Sequence, residues 1–158
     1  MPMTPFYTHF PELAFNEMRS LAVKGKADLP DGEYGFLELY CDEPGCDCRR
    51  VIIDVISPAT QDKIWATINY GWEDVAFYEE WMGSPEDAVD CKGPSLDPFN
   101  PQTEYSPALL GLFALMLNDE TYVERLKRHY ELFKEAVRDK HRPQWRPSGP
   151  RRRLRRVK

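Results

Sequence analysis

Apolar positions along the chain change their period once, near residue 72, and that switch divides the sequence into a strand half and a helix half. Before it, three segments read as strands, two of them by alternation with period two. Tyr34 to Tyr40 puts Leu37 and Leu39 on one face and Phe36 and Tyr40 on the other. Val51 to Ile56 is rich in β-branched residues and closes at Ser57-Pro58. Lys63 to Tyr70 turns Ile64, Ala66, Ile68 and Tyr70 the same way. Glu17 to Val23 is a further candidate strand, with Pro11 to Asn16 as a short helical turn before it and Pro30-Asp31-Gly32 as the turn after it. The connections are short, which predicts an antiparallel meander of three to four strands.

After the switch the spacing is helical. Glu73 to Met82 groups Val75, Phe77, Tyr78, Trp81 and Met82, and Gly83-Ser84-Pro85 stops it. A loop rich in Pro, Asp and Asn is expected from about Glu86 to Glu104. Ser106-Pro107 reads as an N-cap followed by a proline at the first helical position, and the helix through Leu117 is apolar nearly all round, so burial is expected. Asp119 to about Lys140 carries Tyr122, Val123, Leu126, Tyr130, Phe133 and Val137 on one stripe. Glu124 and Arg128 sit four apart on the wet side, and His141-Arg142-Pro143 ends the element. Strands first and helices after predict an α+β fold with the helices packed on one face of the sheet.

Composition adds size, compartment and an asymmetry. At 158 residues the chain suits one domain with a sizeable core, and 13% aromatic content points to a core built on rings. Residues 1–140 carry 13 basic against 26 acidic side chains, whereas residues 141–158 carry 8 basic and none acidic. We therefore expect a single acidic domain over 1–140 and a basic tail over 141–158. No apolar run reaches the roughly 20 residues of a spanning helix, and the first residues lack the basic and apolar regions of a secretory signal. A cytoplasmic location is the expectation, in which four cysteines read as thiols or metal ligands rather than disulfides.

The sharpest chemical feature is Cys41-Asp-Glu-Pro-Gly-Cys46-Asp-Cys48-Arg-Arg, which joins two of the expected strands. Pro44-Gly45 suits the centre of a type II turn, which would fold Cys46 back towards Cys41. Three soft thiolates point to a structural zinc ion, and Arg49 and Arg50 are expected to offset the excess negative charge. A fourth ligand is needed. His9 is the leading candidate because it precedes an element that could pack beside the hairpin, with Cys91 as the alternative and His129 and His141 behind them. Two other readings stand beside zinc: ordinary thiols on a surface hairpin, and a redox pair at Cys46 and Cys48. No zinc-hydrolase motif accompanies the cysteines to supply a general base.

Other features have structural explanations of equal or greater weight. Arg151, Arg152, Arg153, Arg155 and Arg156 would suit a nucleic-acid or acidic-partner arm, or a solubilising terminus; Trp145 alone is too little for a stacking platform. Glu38 and Asp54, within strands, would serve as an acid and base pair if they shared a face, but strand carboxylates more often mark a solvent face. Phe77, Tyr78 and Trp81 at helical spacing read as core, and His129 as a packed, hydrogen-bonded histidine. Phosphate-cradling glycine loops, nucleophile elbows and dinucleotide fingerprints are absent from the sequence.

Three strings together carry a resemblance: Tyr40-Cys41 through Cys46, Cys48, Arg49, Arg50 and Val51; Leu96-Asp97-Pro98-Phe99-Asn100-Pro101-Gln102; and Arg125 through Arg128, His129 and Tyr130. Over roughly residues 6–140 the chain resembles a family of uncharacterised bacterial proteins, without the basic tail. The resemblance implies a folded bacterial cytoplasmic protein and transfers no catalytic residues. The expected function is a zinc-stabilised domain that binds another macromolecule without catalysis. The alternatives are an enzyme using the cysteine site or carboxylates in a pocket between sheet and helices, and nucleic-acid association through the tail.

Overall fold

Strand β3 (Gly32–Cys41) is the longest in the sheet and organises it. The structure is a computed structural model that describes residues 2–60 and 63–142. One edge of β3 pairs with β4 (Arg50–Ile56), which pairs with β5 (Ala66–Gly71) and then the two-residue β6 (Ser95–Leu96), all antiparallel. The other edge is shared. β1 (Met3–Pro5) covers the Leu39–Cys41 end, and β2 (Arg19–Val23) covers Gly32 to Phe36. Between them the chain makes a short 3₁₀ turn at Phe6–Thr8 and helix α1 (Pro11–Glu17). The expected meander is thus the centre of a six-stranded antiparallel sheet.

Register fixes which side chains share a face. Phe36 opposes Val55 and Glu38 opposes Ile53, while Val51, Ile53 and Val55 oppose Tyr70, Ile68 and Ala66. These residues form the inner face. Helices α4 (Ser106–Met116) and α5 (Glu120–Lys140) cover it, with ring centroids of Phe36 and Phe113 at 6.1 Å, Tyr70 and Phe113 at 5.9 Å, and Tyr40 and Phe133 at 5.7 Å. Burying each such side chain stabilises the fold by about 1.5–3 kcal/mol. Helices α2 (Val75–Met82) and α3 (Pro85–Cys91) pack on each other through Tyr78, Ala88 and Cys91. They meet the sheet at Gly71, where a Cβ would collide with the Tyr78 hydroxyl and the Cys91 carbonyl oxygen.

Several local expectations are corrected. The Glu86–Glu104 region holds α3 and β6 rather than loop alone, because Pro85 can start a helix whose first turn carries Glu86 and Asp87. Ser106 is the first helical residue, not a side-chain cap; its hydroxyl donates to the Trp65 carbonyl at 3.0 Å and accepts from the Thr103 N–H at 2.9 Å. Leu115 is exposed, so α4 is not buried all round. Glu124 pairs with Lys127 at 3.3 Å instead of Arg128, which reaches Glu17. Among the described residues no helix is long and apolar enough to cross a membrane.

Candidate metal centre

The turn that places the cysteines forms as its residues require. Cys46 N–H bonds to the Glu43 carbonyl at 3.3 Å, and Gly45 has φ of 76°, the left-handed conformation that favours glycine at this position of a type II turn. Cys41 ends β3, and Cys48 sits two residues before β4. The result is that one sulfur from each of Cys41, Cys46 and Cys48 lies within 4.8 Å of the other two. Cys41 and Cys48 are buried and Cys46 is partly exposed, and no disulfide joins the described cysteines.

The surrounding groups hold this arrangement from two helices. Tyr130 of α5 donates its hydroxyl to Asp47 Oδ1 at 2.8 Å and accepts from the Arg49 N–H at 3.1 Å. Tyr78 of α2 donates to the Arg49 carbonyl at 2.9 Å. The two tyrosines therefore clamp both backbone polar groups of Arg49, whose φ of 46° is uncommon for a side chain other than glycine. Lys134, also on α5 and buried, donates from Nζ to the Cys41 carbonyl at 3.0 Å.

The expected role of the two arginines is corrected. Arg49 turns to Asp47 at 3.0 Å and Glu73 at 3.3 Å, with its guanidinium 4.5 Å from the centre of the Phe77 ring. Arg50 precedes the inward-facing Val51 and so points to the opposite face, where Nε donates to Asn69 Oδ1 at 2.9 Å. The cation that acts on the thiols is Lys134. It lies within the apolar stripe of α5, four residues after Tyr130, a position where a lysine needs a reason to be buried.

Electrostatics across the three sulfurs are uneven. The Cys41 thiol is lowered to about 5, first by a hydrogen bond from the Cys48 thiol, which with the Glu43 N–H and the Lys134 charge outweighs its burial. The Cys48 thiol is pushed strongly up by the same hydrogen bond and by burial. Cys46 is raised by burial and by the neighbouring Cys41 charge. One thiolate thus forces the other two to keep their protons. A divalent ion reverses that, because it replaces the protons and compensates all three charges.

His9 and Cys91 do not belong to the group of mutually close ligand atoms. Cys91 lies in the small core beneath α2 and α3, where burial raises its thiol. His9 packs its ring on Phe133 at 5.0 Å, on the turn of α5 that also carries Lys134, and its buried Nε2 has no hydrogen-bond partner among the described residues. His141 follows α5 and is exposed. The basic residues Arg151, Arg152, Arg153, Arg155 and Arg156 and Trp145 lie outside the described residues.

Glu38 and Asp54 do not form a pair. Glu38 opposes Ile53, so the neighbouring Asp54 faces the other way. Glu38 is not on a solvent face either: it is 4% exposed beneath α5, where its Oε1 accepts from the Tyr40 hydroxyl at 2.6 Å and lies 2.7 Å from His129 Nδ1. His129 Nε2 lies 3.0 Å from Glu17 Oε2, and Glu17 is further held by Arg125 and Arg128. Phe6 stacks on the His129 ring at 4.2 Å. The packed, hydrogen-bonded His129 is as the sequence predicts; its two carboxylate partners were not foreseen. Tyr78 is core, whereas Phe77 and Trp81 are only partly buried.

No family model, curated protein or solved structure matches this chain.

Proposed function

We propose that this protein is a zinc-stabilised interaction domain in which Cys41, Cys46 and Cys48 hold the ion. The observation that carries this reading is the convergence of three sulfurs within 4.8 Å at the mouth of a strand hairpin. Their chemistry supports zinc: soft thiolates on a tetrahedral ion are the usual structural set, and hard cations prefer oxygen. Bound there, zinc would tie the ends of β3 and β4 together and fix the hairpin that Tyr78 and Tyr130 anchor to the helices. We keep His9 as the fourth ligand: its buried Nε2 has no hydrogen-bond partner among the described residues and its ring packs on the turn of α5 that reaches Cys41, and a local shift would have to bring it to the three sulfurs, whose group it lies outside. The family resemblance in Tyr40 to Val51 supports placing this domain among bacterial cytoplasmic proteins, with a macromolecular partner as its target.

Cobalt substitution tests the ligand set. The Co(II) protein should show the visible and near-ultraviolet bands of tetrahedral thiolate coordination, and Cys46→Ser should abolish or strongly weaken them. His9→Gln should shift the bands, whereas Cys91→Ala should leave them unchanged. Absence of thiolate-to-cobalt absorption in the wild-type protein would refute the site, and a Cys91→Ala effect without a His9→Gln effect would exchange the fourth ligand.

A further inference from the structure

The outer face of the sheet holds a polar cleft that plays no part in the metal centre. Ile52 and Asp54 of β4 and Thr67 of β5 form its floor, and the segment with Asp97 and Phe99 forms its wall. With Met3 and Arg50 they enclose about 520 Å³, inside the range of roughly 300–1,000 Å³ common for small-molecule sites.

Three charged side chains line the cleft and each keeps unused hydrogen-bonding capacity. Asp54 accepts the Thr67 hydroxyl on Oδ1 at 3.2 Å, which leaves Oδ2. Asp97 accepts the Phe99 N–H on Oδ1 at 2.8 Å, which orders the wall and leaves its other oxygen. Arg50 leans on Asn69, whose own amide is pinned by the Asp90 and Cys91 carbonyls at 3.2 Å each. Among the described residues no carboxylate forms an ion pair with this guanidinium, and Nη1 remains unused. Burial, and then the Asp97 charge, raise the Asp54 carboxyl above its ordinary range, so a cation between these two acids would be welcomed.

We propose that this cleft binds a small amphoteric ligand, a peptide with free termini, its ammonium between Asp54 and Asp97 and its carboxylate on Arg50. A simple anion would meet two carboxylates, and a diamine would meet a guanidinium. Two carboxylates are too few for a calcium-like ion, which takes about six to eight oxygens. The spacing selects the length. Arg50 and Asp54 are four residues apart on β4, but the Arg50 guanidinium bonds to Asn69, which opposes Ile52, while Thr67 opposes Asp54, so the guanidinium's anchor lies two residues, about 7 Å, from the level of Asp54. A fully extended dipeptide spans about 7 Å. Phe99, 93% exposed, offers its ring to an apolar side chain. Beyond Arg50 an adjoining hollow of about 350 Å³ is lined by Asp87 and Asp90, which favours a basic second residue.

The test is an amide-NMR titration of the full chain with Ala-Lys, and with its N-acetylated and C-amidated forms. The proposal predicts saturable shifts at Ile52, Asp54, Thr67, Asp97 and Phe99, with either cap weakening affinity at least ~10-fold, about 1.4 kcal/mol. Asp54→Asn, or the exposed Phe99→Ala where a fold-neutral variant is wanted, should weaken binding while leaving the spectrum elsewhere intact. No saturation at these amides up to about 1 mM ligand, or equal affinity for free and capped forms, would overturn it. Because the cleft and the cysteines share no residue, failure here leaves the zinc reading untouched, and the converse also holds.

Discussion

Helix α5 supports two polar clusters, and they are resolved in opposite ways. Towards its middle, His129 sits between Glu38 and Glu17, with Tyr40, Arg125 and Arg128 completing the set. Every charge there has a partner of opposite sign or a hydrogen-bond donor inside the protein. On the neighbouring side of the helix, Tyr130, the next residue, and Lys134, one turn further on, face the hairpin of Cys41, Cys46 and Cys48, where a single buried ammonium stands against three sulfurs. A buried polar network must be satisfied to be tolerated. The first cluster meets that requirement by itself; the second meets it by keeping protons on two thiols, or by taking a metal. The difference separates a self-satisfied network from a candidate metal site, although both are buried beneath the same helix.

The largest expected effect breaks the first cluster. His129→Ala removes a buried ring stacked on Phe6 and one hydrogen-bond partner of the buried Glu38 carboxyl, which together destabilise by about 3–5 kcal/mol. Denaturant unfolding should show this loss equally with and without chelator. Cys48→Ser breaks the second cluster and should destabilise by about 2–4 kcal/mol, on the order of 4–16 °C in Tm for a chain of this size. Chelator should reproduce the loss in the wild-type protein and add nothing in the variant. If chelator leaves wild-type Tm unchanged, the comparison collapses, because both clusters would then be self-sufficient.

Two smaller effects sharpen the contrast. Zinc loading near pH 7 should release protons mainly from Cys46 and Cys48, since Cys41 at about 5 has already lost its own. Calorimetry in buffers of different ionisation enthalpy reads this directly, and zinc affinity should rise with pH. Glu17 provides the smallest effect. Burial alone would raise its carboxyl, but hydrogen bonding to the His129 ring and the charges of His129, Arg128 and Arg125 hold it below 4.5. Its contribution is therefore present above about pH 4.5 and is lost as pH falls through its lower folded-state value. Glu17→Gln should flatten that acidic limb and change stability at pH 7 by under about 1 kcal/mol, as expected for a partly exposed ion pair.

The sheet was legible in the sequence because alternation over Tyr34 to Tyr40 and the β-branched run Val51 to Ile56 report strands directly. The cysteine cluster was legible because a glycine turn dictates how Cys46 returns towards Cys41. What the sequence hid depends on long-range partners. Glu38 reads as a solvent-face residue until His129, 91 positions away, is brought against it. Tyr130 is visible only as a member of a helical stripe and Lys134 only as a lysine beside it, and nothing local says that they face the hairpin. Arg50 reads as part of the cysteine loop because it adjoins Arg49, but it is on the other face because strands alternate. Helix α3 was missed because Pro, Asp and Glu there serve as helix-start residues and not as loop residues.

The most direct test of the account is the metal content of untagged protein by elemental mass spectrometry, paired with a count of reactive thiols before and after chelation. About one zinc ion per chain is expected, as in closed structural sites, with Cys41, Cys46 and Cys48 reacting only once the chelator is added. Protein that carries no metal, and whose three hairpin thiols react at once under native conditions, would contradict it.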